Sequence, residues 1–229
     1  MVCSLIHSGD KNKWLWPLWK YYYNIYWDES KIDTIFLSEE ADIGDITNIK
    51  TGTCDWSTGL INALDKVEYK YVIYQHEDFF LLGAPSYGII NMIIEAMEKH
   101  TLNLVKCCGK QAGAPRTIKH MTDTKIYIFD RHLKLYPNYL DYLTSHQVSI
   151  WNKEFLISTL KAGESPWEHE IEGTKRLRKR NIPIHAWCSD LDDPDCLPMP
   201  YDEVITKNKI RRPDLIKQAE NGIGLWASP

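Results

Sequence analysis

A carboxylate pair at the end of an apolar run is where this sequence first points to chemistry. In Tyr69-Lys70-Tyr71-Val72-Ile73-Tyr74-Gln75-His76-Glu77-Asp78-Phe79-Phe80-Leu81-Leu82, a β-rich segment reaches Glu77 and Asp78 and turns apolar again at once. Like charges inside such a run need a cation, hydrogen bonds or water to offset their desolvation. Mg2+ and Mn2+ take carboxylate oxygens and commonly join them to substrate phosphates. His76, Glu77 and Asp78 are therefore the lead for a metal and phosphate site, against the plainer alternative of a helix cap or a lysine ion pair. A second acidic group, Glu164, Glu168 and Glu170, falls in Gly163-Glu164-Ser165-Pro166-Trp167-Glu168-His169-Glu170. Ser165 reads as an N-cap, Pro166 as the first helical residue and Glu168 as the end of a capping box. Helix N-termini stabilise carboxylates. Glu168 and Glu170 lie about 200° apart around an α-helix. One can cap while the other faces a cleft as a general base beside a hydroxyl.

The elements that must carry these groups alternate. Val2 to His7 reads as a buried strand, ended by Ser8-Gly9-Asp10. Trp14 to Trp27 has helical spacing with Pro17 in its first turn. Thr34 to Leu37 is a second strand, delivering Ser38, Glu39 and Glu40. Asp55 or Ser57 caps a helix with Leu60, Ile61, Leu64 and Val67 on one stripe. The strand ending at Glu77 follows, then a helix over Tyr87 to Lys99 and a strand over Leu102 to Cys107. Strand–helix alternation predicts an α/β fold with a mainly parallel central sheet and helices on both faces. Ligands in such sheets bind at the carboxyl ends of the strands. Beyond residue 107 the pattern gives strands at Lys125 to Phe129 and His146 to Trp151, a helix at Glu154 to Leu160 and the capped helix after Ser165. A Pro- and Asp-rich loop follows, with Asp190, Asp192, Asp193, Pro194, Asp195, Pro198 and Pro200.

The totals narrow the class. A chain of 229 residues with 44% hydrophobic and 25% charged residues is globular in composition, enough for one large domain or two small ones. Its net charge of −4 argues against general nucleic-acid affinity. Nine tryptophans and 13 tyrosines suit a deep core or a site that stacks on flat rings. Positive charge is clustered in Lys175, Arg176, Arg178, Lys179 and Arg180 and again in Lys207, Lys209, Arg211 and Arg212. Each run reads as a solvated face or a local phosphate site. Cys3, Cys54, Cys107, Cys108, Cys188 and Cys196 contain no C-x-x-C pair, which suits reduced thiols. The N-terminus is polar too early for a signal peptide, and no apolar run approaches the ~20 residues of a membrane span. A cytoplasmic protein is expected.

Four blocks in fixed order carry a resemblance. They are Trp56-Ser57-x-x-Leu60-x-x-Ala63-Leu64, the strand Tyr71 to Phe80, Ser149-Ile150-Trp151-Asn152-Lys153-Glu154-Phe155-Leu156, and Gly163 to Glu170. Together they resemble small stand-alone nucleotide-sugar glycosyltransferases of the GT-A fold, over about Val2 to Arg180. The resemblance implies a single GT-A-like domain over 1–229, with a nucleotide-binding half (1–107) and an acceptor-binding half with a C-terminal tail (108–229). It implies transfer of a sugar from a nucleotide-sugar to a glycan or other hydroxyl acceptor, with Mn2+ or Mg2+. The His76-Glu77-Asp78 triplet stands at the family's D-x-D position. Asp78 matches the metal-binding acid, and His76 replaces the first acid, leaving Glu77 to cover its role. His7, Ser8, Glu39 and Glu40 would border base and ribose, with Asp55, Trp56 and Ser57 near the donor. Glu170, ahead of Glu168, would be the base of an inverting reaction. His185 would complete the metal shell, and His146, Trp151 and Trp167 would meet the acceptor. Lys207, Lys209 and Arg211 would neutralise the leaving diphosphate. Two other functions compete: a nucleotidyltransferase, which normally has a Gly-rich basic loop after strand one, and a non-catalytic carbohydrate-binding protein.

Overall fold

Apolar alternation on both faces of the first and fourth strands sets the architecture. In Val2–His7 (β1), Cys3 and Leu5 enter one apolar cluster and Ile6 the other. In Tyr71–His76 (β4), Tyr71 and Ile73 face one way and Val72 and Tyr74 the other. Successive side chains of a strand point to opposite faces, so strands buried on both faces are apolar throughout. The computed structural model describes residues 1–108, 120–128, 131–188, 198–206 and 209–224. Phe129, Lys207, Cys196 and the loop positions Asp190, Asp192, Asp193, Pro194 and Asp195 lie outside them.

The remaining strands are Thr34–Ser38 (β2), Thr47–Lys50 (β3), Phe79–Leu81 (β5), Leu104–Cys108 (β6), Thr122–Ile128 (β7), Arg131–Tyr136 (β8), Ser149–Asn152 (β9), Ile184–Cys188 (β10), Tyr201–Glu203 (β11), Ile205–Thr206 (β12) and Lys209–Ile210 (β13). Together with β1 and β4, seven of them form one nine-stranded sheet in the order β3-β2-β1-β4-β9-β6-β10-β8-β7. β1, β2, β3 and β4 pair in parallel, as do β6 and β10. β9 is antiparallel to both β4 and β6, and β8 to both β10 and β7. Thus β8 and β9 run against the direction that the other strands share. A small β11–β5 sheet lies apart, as does the β12–β13 pair.

Helices cover both faces. Trp16–Tyr26 (α1), Tyr87–His100 (α3) and Pro213–Gly222 (α7) contribute Trp19, Tyr22, Ile90, Ile93 and Leu215 to one cluster. Trp56–Leu64 (α2), Lys153–Thr159 (α4) and Thr174–Arg180 (α6) give Leu60, Leu64, Phe155 and Leu177 to the other. Between α4 and α6 the chain makes a short turn, Pro166–Glu168 (α5), then a π-helical turn, His169–Gly173. Among the described residues no helix is long and apolar enough to cross a membrane.

Some boundaries differ from the sequence pattern for local reasons. The helix expected from Trp14 starts at Trp16 with Pro17 in its first turn, and Asp10–Leu15 forms a 3-10 turn ahead of it. The strand expected from His146 starts at Ser149, because the His146 N–H donates to the Glu170 carboxylate instead of a strand neighbour. The basic run after Gly173 is largely structural. Arg176 makes a two-pronged bond to Glu164 (2.6 and 2.7 Å) and donates to the Thr159 carbonyl, and Arg178 donates to the carbonyls of Asn138, Tyr139 and Leu140.

Candidate active site

Parallel strands bring their carboxyl ends to one edge, and there a cleft of about 600 Å³ opens. β1 delivers His7 and Ser8 to it, and β4 delivers His76, Glu77 and Asp78. The Asp55 carboxylate caps α2 by accepting the Thr58 N–H at 2.9 Å, which starts that helix at the same edge and sets Trp56 in the cleft wall. Antiparallel β9 begins where β4 ends (Ser149 opposite Tyr74), so His146 and Gln147 fall in the cleft beside His76. β11 pairs with β5 and places Glu203 opposite Phe79, while the Val204 N–H donates to the Asp78 carbonyl at 2.8 Å.

The cleft floor is acidic. Asp78 is partly buried, and its Oδ1, which is shut off from solvent, has no hydrogen-bond partner. Burial, with Glu77 and Glu203 alongside, pushes its carboxyl well above the usual range. Glu77 Oε1 accepts from Asn12 Nδ2 at 2.6 Å, yet burial still raises Glu77 to about 7. A buried carboxylate without a partner is costly, and a neighbouring cation is the common remedy. Among the described residues no three His, Cys, Asp or Glu side chains converge closely enough to hold a metal ion by themselves. Lys11 is the cationic side chain among the described residues that line the cleft.

Aromatic rings form the wall. The Trp56 indole lies parallel to His7 (centroids 5.7 Å apart) and to His146 (4.7 Å). The Tyr74 hydroxyl bonds to His7 Nδ1 at 2.9 Å and His76 Nε2 at 3.2 Å. Burial holds His7 down at about 3 and His76 at about 4, so both rings are neutral. A second chain runs deeper. The Thr159 hydroxyl donates to the Leu156 carbonyl, so it accepts from His169 Nε2; His169 Nδ1 then accepts from His146 Nε2 at 2.9 Å. This order leaves His146 Nδ1 bare, and that atom is buried without a partner.

The wall across from these rings comes from α5 and the π turn. Ser165 and Glu168 complete the capping box: Ser165 N–H donates to Glu168 Oε2 (2.8 Å), and Glu168 N–H to Ser165 Oγ (3.3 Å). That bond lowers the Glu168 carboxyl and occupies it. Glu170 has its Oε1 fixed by the His146 N–H at 2.8 Å, and burial raises its proton affinity. Trp167 is 60% exposed on the cleft rim.

Of the residues singled out in the sequence, the cleft gathers His7, Ser8, Glu39, Asp55, Trp56, His76, Glu77, Asp78, His146, Trp167, Glu168 and Glu170. Others lie elsewhere. Ser57 is fully buried, donating to Asp55 Oδ1 and accepting from the Glu164 N–H, and so ties α2 to the loop before α5. Glu40 is outside the lining, its N–H given to Asp10. Trp151 is not a sugar platform: it packs in the core against Phe155. His185 cannot join a shell at Asp78, because β10 is separated from β4 by β9 and β6. Lys209 is exposed on β13, and Arg211 lies 3.7 Å from Asp202 and 3.6 Å from Glu203, so neither lines the cleft. Lys11, Asn12, Gln147 and Glu203 line it without any signal in the sequence, since the first two arrive from the 3-10 turn, Gln147 from the segment before β9 and Glu203 from β11. After β1 the Asp10 carboxylate is committed to the turn that follows β2, accepting from the N–H groups of Glu39, Glu40 and Ala41.

Three known structures are similar to this chain in fold. S. aureus TarS 1-349 matches 98% of this chain over 64% of its own, at 9% identity and a TM-score of 0.51. A longer S. aureus TarS chain matches 98% over 39%, at 10% identity and 0.50. The mannosyltransferase PcManGT from Pyrobaculum calidifontis, solved with GDP-Man and Mn2+, matches 97% over 63%, at 12% identity and 0.51. The chain spans less than two thirds of the length of each of them. No protein-family model matches it, and no curated protein is significantly similar. At these identities the likeness concerns the fold, which is α/β and GT-A-like.

Proposed function

We propose, from a GT-A-like α/β fold with an acidic cleft at the strand ends, that this chain is a metal-dependent glycosyltransferase acting on a nucleotide-sugar donor and a hydroxyl acceptor. The observation that carries the proposal is Asp78: a buried carboxylate oxygen on the cleft floor with no partner, beside two further carboxylates. That donor set fits a hard divalent cation held by Asp78 with Glu203 or Glu77. Because no protein trio converges there among the described residues, the remaining ligands would be diphosphate oxygens and water, as Mg2+ and Mn2+ usually arrange. When bound, such a cation supplies neutralisation of the leaving diphosphate. The chain's own residues do the rest. Lys11 adds positive charge near the phosphates, and Asn12 holds Glu77 in place. Trp56, stacked on His7 and His146, lines the donor side of the cleft, and Trp167 offers an exposed ring to the acceptor sugar. Glu170, with Oε1 bound by His146, uses its other oxygen to take the acceptor hydroxyl's proton, and the proton affinity that burial raises suits that role.

The test is nucleoside diphosphate release from a panel including GDP-mannose and UDP-N-acetylglucosamine, with Mn2+, Mg2+ or EDTA. Metal-dependent release that Asp78→Ala abolishes, with the fold intact by circular dichroism, is the expected result. Release that is indifferent to EDTA and to Asp78→Ala would remove the metal site. Stabilisation by free sugars alone, without any nucleotide response, would favour a carbohydrate-binding protein.

A further inference from the structure

Glu170 sits on a π-helical turn, a geometry that leaves backbone carbonyls without their normal helical partners and recurs at functional sites. Two threonine hydroxyls from different elements meet those carbonyls. Thr144 Oγ1 lies 3.0 Å from the His169 carbonyl and 3.3 Å from that of Glu170, and Thr174 Oγ1 donates to the Glu170 carbonyl at 2.6 Å. Thr144 is fully buried and belongs to the segment that also supplies His146, whose N–H grips the Glu170 carboxylate. One short segment thus holds Glu170 at both its backbone and its side chain.

That segment is itself held. Lys106, buried on β6, donates to the Tyr142 carbonyl at 2.6 Å and to Ser145 Oγ at 2.8 Å. Tyr142 has φ +61°, a left-handed conformation that a bulky non-glycine residue keeps only when its surroundings enforce it. Packing leaves no slack on the other side either. A Cβ on Gly173 would fall 2.9 Å from Thr144 Oγ1 and 3.0 Å from His169 Cδ2, so the turn closes against the Thr144 hydroxyl only because residue 173 is glycine.

We propose that Thr144, in the segment Tyr142–His146 pinned by Lys106, is a positioning residue that sets the Glu170 carboxylate through the π turn. The proposal rests on the reading of Glu170 as the base. The Thr144 hydroxyl keeps the turn wide, the wide turn aims Glu170 at the His146 amide, and the amide leaves one carboxylate oxygen for the acceptor.

The test compares Thr144→Val, which swaps the hydroxyl for a methyl, with Thr144→Ser, which restores it. One readout needs no substrate: amide hydrogen exchange of His146, slowed by its bond to Glu170. Exchange should accelerate at least tenfold in Thr144→Val, return in Thr144→Ser and stay unchanged at β1 and β4. The second readout is Mn2+-dependent transfer from GDP-mannose and UDP-N-acetylglucosamine to water and to an oligosaccharide panel. There kcat should fall 10- to 100-fold in Thr144→Val with donor KM within twofold, and Thr144→Val should add no loss to Glu170→Gln. If Thr144→Val does not fold, Lys106→Met is judged by the same two measurements. Unchanged His146 exchange, or unchanged kcat beside a crippled Glu170→Gln, overturns the positioning role and leaves the base in place. Full transfer by Glu170→Gln overturns the base and the positioning role with it.

Discussion

Asp78 has no partner for one of its buried oxygens, and that has a measurable cost without a cation. Its carboxyl is raised in the folded protein, so ionising it above pH 4 opposes folding. Asp78→Asn should therefore stabilise the metal-free protein at pH 8 by roughly 1–3 kcal/mol in urea titration. The same variant should lose any rise in Tm that Mn2+ with GDP gives the parent protein; a stable variant that keeps that rise would place the cation elsewhere. Glu77 and Asp78 were legible in the sequence because two adjacent acids broke an apolar run. Their neighbours were not. Asn12 reaches Glu77 from a 3-10 turn, and Glu203 approaches from β11, so neither contact leaves a local pattern.

Among the elements, those with strong local chemistry were readable. β1 runs Val2–His7 as its apolar run suggests, Asp55 caps α2, and Ser165 with Glu168 forms the expected box. Ser165→Ala should cost about 1 kcal/mol, the usual worth of a cap. Asp55 does more, since Oδ1 also accepts from the Gly163 N–H at 2.9 Å and so joins α2 to the α5 loop. These bonds depress its carboxyl, so its contribution is present above pH 4 and fades as pH falls below that value. Asp55→Asn should accordingly flatten the acid limb of a stability–pH curve measured by urea denaturation. The π turn was not readable, because its carbonyls are satisfied by Thr144, far away in sequence. The family resemblance misled twice. Trp151 and His185 both sit on strands, but Trp151 faces the core and β10 lies beyond β9 and β6.

Across the molecule, the cleft is built on neutral buried histidines. His169 is held at about 4 by burial, against an ordinary value of 6.5. A histidine lowered in the fold binds its proton preferentially when unfolded, so stability is full above pH 6.5 and is lost as pH falls toward 4. For His169 alone the loss between pH 7 and pH 5 is on the order of 2 kcal/mol. Urea midpoints at the two pH values should differ accordingly, and His169→Gln should narrow the gap. The fold class was legible from alternating strands and helices, but the reversed strand β9 was not, although it is what carries His146 to the cleft. The β5–β11 pairing adds a consequence in time. Phe79 and Glu203 come from distant parts of the chain, and contacts of such long range close late when a protein folds. In refolding from urea, the central sheet should regain its circular dichroism before the Mn2+ response returns, making the cleft the last part of the molecule to be finished.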